Sequence, residues 1–133
     1  MRSLDSYAPH TRSVLRIISG LLFFGVGLAK IAHFPNVPMF ADARPFVGIE
    51  GWAGMIELVG GALIALGFFS RIAAFICSGE MAVAYFLGHW AIVTGNPHSF
   101  FPVLNGGATA ILYCFVFLYF AAAGPGPWAI NQK

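Results

Sequence analysis

The sequence predicts an all-α protein, an integral-membrane four-helix bundle, on three grounds. Of 133 residues 59% are hydrophobic and 9% charged, too little polar surface to clothe a soluble globule. Four apolar stretches, residues 14–32, 51–69, 72–93 and 104–123, each approach the roughly 20 residues that cross a hydrocarbon core of about 30 Å. Turn signals separate them, and none shows the period-two alternation of a membrane β-barrel. With a mean hydropathy of +0.80, the chain reads as one four-span membrane domain over residues 1–133 whose partner is the lipid bilayer. A net charge of +2, small and dispersed, excludes nucleic acid as a partner.

In the first span Arg12 and Arg16 precede the apolar run. It is a retained helix rather than a signal peptide, because cleavage after Ala32 would put Lys30 where a small residue is wanted. Arg16, Gly20, Phe23, Gly27 and Lys30 recur at steps of three and four, which aligns them on one helix face and turns that face towards protein. In the second span Glu57 has Gly54 at i−3 and Gly61 at i+4, so a neighbouring helix can press against it. Ser70 and Arg71 alone separate the second span from the third, making the two antiparallel neighbours. The third span has two polar faces: Ala74, Ser78, Ala82, Tyr85 and His89 share one, while Glu80 lies with Ala73, Cys77, Ala84 and Leu87 on the opposite one. Which face meets the bundle axis stays open. The fourth span opens at Asn105-Gly106-Gly107, carries Asn105, Thr109 and Tyr113 at i, i+4 and i+8, and ends at Gly124-Pro125-Gly126-Pro127, where proline stops helix propagation. Arg2, Arg12, Arg16, Arg71 and Lys133 fall at one side, predicting a cytoplasmic location for that side and for both termini.

Charged side chains at bilayer depth cost roughly 2.5 to 3.5 kcal/mol, so Lys30, Glu57 and Glu80 are the default site residues. On a common depth scale Lys30, Glu57, His89 and Asn105 all fall in the outer half of the bilayer. They are the primary ligand-binding or ion-pair candidates, with a Lys30–Glu57 pair expected beneath a polar vestibule. An equally open reading has the pair fixing helix register only. Glu80, Arg16, Arg71 and Tyr113 form a second rank. Glu80 is either a protonatable carboxyl beside a quinone or proton path, or a neutral packing group. Arg16 reads as a residue that snorkels to lipid phosphates. Phe23, Phe24, Phe68, Phe69, Phe75, Phe86, Phe100 and Phe101 offer walls for a flat apolar head group, although lipid contact is their ordinary use. Cys77 and Cys114 fall at different depths and read as packing residues. The histidines, at positions 10, 33, 89 and 98, have no metal-ligand spacing, so no metal is assigned. No nucleophile–base set or phosphate loop occurs, and catalytic residues are unknown.

Residues 16–30 (RIISGLLFFGVGLAK), residues 57–71 (ELVGGALIALGFFSR), the segment from Glu80 to Tyr85, the triplet Asn105-Gly106-Gly107 and the terminal Gly124-Pro125-Gly126-Pro127-Trp128 resemble, in order, the DoxX family of small bacterial inner-membrane proteins. The resemblance spans nearly the whole chain. It implies a four-helix fold in the bacterial inner membrane and a link to quinone-connected redox biology, with family polar marks falling on Arg16, Lys30, Glu57, Arg71 and Asn105. Ala108 stands where many relatives carry a glutamate, which removes an acid from the outer vestibule. Two functional readings follow. One is a redox-linked accessory protein that binds a quinone or similar lipophilic molecule, with no covalently bound cofactor, or that docks a redox partner; it is at most a membrane subunit of an oxidoreductase. The other is a structural or assembly subunit, as a homo-oligomer or in a larger complex, that uses Ala74, Ser78 and Ala82 as its contact seam.

Overall fold

The computed structural model describes residues 2–87, 101–102 and 106–133. A short helix α1 (Arg2–Asp5) leads into α2 (Ala8–Ile31), followed by a 3₁₀ turn at Pro38–Phe40, α3 (Gly48–Leu66), α4 (Ser70–Val83) and α5 (Ala108–Ala123). Four residues beyond Val83, as far as Leu87, extend α4 in π-helical geometry. Among the described residues no sheet forms, and Arg44 and Val47 make one isolated bridge. Three stretches, Ser3–Ile31, Gly48–Leu66 and Ser70–Leu87, are long and apolar enough to cross a membrane, and Ala108–Ala123 is a shorter apolar helix packed with them. The whole is an all-α membrane-spanning bundle.

Helix α2 packs against α3, α3 against α4, and α4 against α5. Phe23 of α2 closes the ring by meeting Phe117 and Tyr113 of α5 at centroid distances of 4.9 and 5.2 Å. The α2–α3 seam brings backbone to backbone. A Cβ on Gly27 would lie 2.5 Å from the Leu58 amide nitrogen, and one on Gly61 would lie 2.6 Å from that of Phe24. Glycine at those positions is what lets the two helices approach so closely. The α3–α4 hairpin is equally specific: Gly67 adopts φ of 71°, its amide bonds Ile64 O, and the Phe68 amide reaches back to Leu63 O, which together form a Schellman C-cap.

Helix α4 lies between α3 and α5, so both of its faces are engaged. Ala74 is fully buried, and the Ser78 hydroxyl donates to Cys114 O at 2.7 Å. The Ala74–Ser78 seam, anticipated as a surface for another protein, is therefore consumed within the chain. Cys77 and Cys114 are both free thiols.

The basic end of the bundle differs from expectation. Arg16 does not snorkel to lipid: it is 1% exposed and donates to the carbonyls of Pro125 and Trp128. Arg12 donates to Ala123 O at 3.2 Å, and Arg71 to Ala122 O at 2.9 Å and to Gln132 O at 3.1 Å. The last turn of α5 leaves carbonyls without intrahelical partners, and the three arginines supply donors to that turn and to the tail beyond it, at the helix end where positive charge is favoured. Residues 124–133 then run beneath the α3–α4 hairpin: Ile130 N bonds Leu66 O, Asn131 N bonds Gly67 O, and Asn131 Oδ1 accepts from Phe69 N. Arg16 and Arg71 thus belong to a structural clasp for the C-terminal tail.

Candidate functional site

At the end opposite this clasp, where α2 finishes and α3 begins, the bundle opens into a cavity of about 620 Å³. Three helices place its polar floor. Lys30 sits in the last turn of α2, on the same stripe as Gly27, and its Nζ lies 2.9 Å from Glu57 Oε1 of α3. Glu57 is held at that height because Gly54 and Gly61 let α2 lie flat on its helix face; the carboxyl is 1% exposed, the lysine side chain 13%. Lys30 Nζ also stands over the Phe40 ring, 5.2 Å from its centroid. Phe40 belongs to the 3₁₀ turn of the connecting segment, which Arg44 holds down through Ala41 O at 3.0 Å and Ala43 O at 2.9 Å.

Glu80 reaches the same cavity from α4 and lines it beside Glu57. This answers the question of its facing: Glu80 points to the cavity, while Tyr85 packs into the apolar core. Oε2 of Glu57 and Oε2 of Glu80 are buried with no hydrogen-bond partner among the described residues. Tyr113 and Thr109 of α5 and the exposed Glu50 in the first turn of α3 complete the polar lining. Trp52, Ile56 and Met81 contribute to the apolar walls.

The structure thus brings together Lys30, Glu57, Glu80 and Tyr113 and leaves Arg16 and Arg71 at the far end. His89 and Asn105 lie outside the described residues. Of the phenylalanines offered by the sequence as walls, Phe23 lines the cavity, whereas Phe68, Phe69, Phe75 and Phe86 face outwards. Phe40 and Trp52 take their place. Neither stood out in sequence because both belong to the segment between helices and the helix turn after it, where no period betrays a facing. A second apolar cleft of about 360 Å³ runs between α3 and α4 and shares Trp52 and Ile56 with the first. Among the described residues no group of three His, Cys, Asp or Glu side chains is disposed to hold a metal ion.

Fold and site together define a multi-pass membrane protein with a charged cluster at the base of an apolar pocket. The chain belongs to the DoxX family, whose profile matches residues 11–90. It is 42% identical over 133 residues to an uncharacterized protein of Haemophilus influenzae, with 100% of this chain and 97% of that one aligned. It is 27% identical over 126 residues to the inner membrane protein YqjF of Escherichia coli, spanning 90% of this chain and 88% of the relative. An uncharacterized membrane protein of Mycobacterium tuberculosis is 23% identical over 149 residues, spanning 99% of this chain and 86% of its own. No solved structure matches the chain.

Proposed function

We propose that the protein is a redox-linked accessory protein of the bacterial inner membrane that binds a quinone, or a lipophilic molecule of that class, in the cavity between α2, α3, α4 and α5. The carrying observation is the cavity itself: about 620 Å³, within the usual range for a small-molecule site, apolar in its walls and charged only at its polar lining. Aromatic rings at Phe23, Trp52 and Tyr113 suit a flat head group. Lys30 Nζ has donors beyond the one given to Glu57 and is the group that would meet a ring carbonyl. The adjoining cleft past Trp52 and Ile56 gives an apolar tail a route to the lipid. Membership in the DoxX family supports the redox context. In the proposed arrangement residues 1–133 form one domain, α5 is the fourth crossing, and the arginine clasp and both termini lie on the cytoplasmic side, in keeping with the positive-inside rule.

The test is saturable binding of decylubiquinone to the full chain in lipid nanodiscs, followed by native mass spectrometry. Ala53 lines the cavity without touching the ion pair by charge, so Ala53→Phe should fill the space and abolish one-to-one binding while the protein stays folded. Unchanged affinity in folded Ala53→Phe would place the ligand elsewhere or nowhere.

A further inference from the structure

From the charge balance of the basic end we propose that the last turn of α5 carries a binding site for the phosphate of an anionic lipid headgroup, held by Arg12 and Arg71. The site lies at the end of the bundle opposite the cavity and stands independently of the ligand assigned there.

Arg12, Arg16 and Arg71 converge on the end of α5 and the tail, and every acceptor they meet is a carbonyl. Arg12 takes Ala123 O, Arg16 takes Pro125 O and Trp128 O, and Arg71 takes the carbonyls of Ala121, Ala122 and Gln132. Carbonyls satisfy N–H groups without cancelling charge. A helix end supplies about half a negative charge, against three guanidiniums that stay ionised at any physiological pH. No carboxylate makes up the difference. Among the described residues the one ion pair is Lys30–Glu57. Of the chain's five acids, Glu50, Glu57 and Glu80 line the cavity and Asp42 belongs to the α2–α3 connection, which leaves the exposed Asp5 at this end.

The arginines also have donors to spare. Arg12, from α2, and Arg71, from the start of α4, bond neighbouring carbonyls of one turn, Ala123 O at 3.2 Å and Ala122 O at 2.9 Å. The unpaired nitrogens that are buried in this cluster are Arg12 Nε and Arg16 Nε, so the Nη2 groups of Arg12 and Arg71, likewise unpaired among the described residues, remain accessible. Gly124 makes room for that of Arg71, since a Cβ there would stand 2.6 Å from it. Two accessible guanidinium edges beside an uncompensated positive charge suit a phosphate, which guanidinium meets with paired N–H donors.

The surroundings favour a lipid as the source of that phosphate. The outward face of α5 carries Leu112, Phe115 and Leu118, which are 66, 64 and 44% exposed, in a stripe that leads to the exposed Ala122 whose carbonyl Arg71 holds. Acyl chains lie along that stripe when the phosphate sits at its end. Trp128, 54% exposed just past the helix, marks the headgroup level. A choline or ethanolamine head would set a cation beside three guanidiniums, so a headgroup of net negative charge is selected.

The experiment places the full chain in nanodiscs of equal parts phosphatidylglycerol and phosphatidylcholine, then counts the lipids retained on release by native mass spectrometry. At about fivefold for each accessible arginine, the unaltered protein should retain phosphatidylglycerol with a preference of roughly 25-fold. Arg71→Gln should lower this to about fivefold, whereas Arg44→Gln, which removes the same charge from the opposite end, should leave it in place. No preference in the unaltered protein, no fall in Arg71→Gln, or an equal fall in both variants would overturn the site. Loss of the lipid to inorganic phosphate, at an ionic strength where chloride leaves it bound, would assign the site to a free phosphate and overturn the lipid. Should Arg71→Gln fail to fold, the unaltered protein decides by amide hydrogen exchange. Residues 124–133 should exchange more slowly in phosphatidylglycerol than in phosphatidylcholine nanodiscs, with no such difference at residues 32–47; equal exchange of the tail in both lipids would overturn the proposal.

Discussion

Gly27 offers the sharpest test of how packing sets the site. An alanine there would put its Cβ 2.5 Å from the Leu58 nitrogen and 2.9 Å from both the Glu57 carbonyl carbon and Gly54 O, where ordinary contact begins at 3.4 Å. All three are backbone atoms of α3, so no side chain can swing aside and the helices must part by roughly 1 Å. Overpacking of this kind costs about 1–3 kcal/mol. Gly25, two residues earlier on the same helix, has nothing within 4 Å of the corresponding position, and alanine there gains about 0.5–1 kcal/mol of helix propensity. Unfolding in mixed micelles by titration with sodium dodecyl sulfate should therefore separate Gly27→Ala from Gly25→Ala by roughly 1.5–4 kcal/mol. The Glu57 carbonyl carbon is one of the displaced atoms, so Gly27→Ala should also loosen the Lys30–Glu57 contact. Equal stability of the two variants would show that the α2–α3 seam is not close-packed and that the ion pair is not held by it.

Two further outcomes bear on the charged groups. Lys30→Leu strands the Glu57 carboxylate and should destabilise the bundle by about 3–5 kcal/mol, whereas Lys30→Leu with Glu57→Leu should recover most of that loss; a double variant no more stable than the single one would mean the pair is not the relevant interaction. Arg16→Leu removes the donors to Pro125 and Trp128 and should raise amide hydrogen exchange in residues 124–133 with a local stability loss of about 1.5–3 kcal/mol; unaltered exchange there would show that the tail docks without the clasp.

The helical membrane fold was legible because apolar length and the scarcity of charge are one-dimensional signals. Lys30 and Glu57 were legible for the same reason: an ionisable side chain in a span is conspicuous whatever its neighbours. Facing was harder. Glu80 stayed undecided in sequence because α4 has a helix on either side, so both of its stripes are small and polar, and periodicity reports burial without saying against what. Arg16 was misread as a lipid anchor because its acceptors are carbonyls of an irregular segment, and a carbonyl belongs to every residue and marks none. The terminal Gly124-Pro125-Gly126-Pro127 read only as a helix stop. The same residues, unable to continue the helix, turn the chain back across the arginines.

The clasp also has a consequence for the order in which the chain is made. Arg16 lies on α2, and its carbonyl partners are made 109 and 112 residues later. Through that interval the guanidinium has no internal acceptor of the kind it finally takes, so α2 must wait with Arg16 held at the headgroup level rather than drawn inwards. Closure of the basic end therefore waits until Pro125 and Trp128 have been made. The clasp thus ties the first half of α2 to the tail only after α3, α4 and α5 have been made.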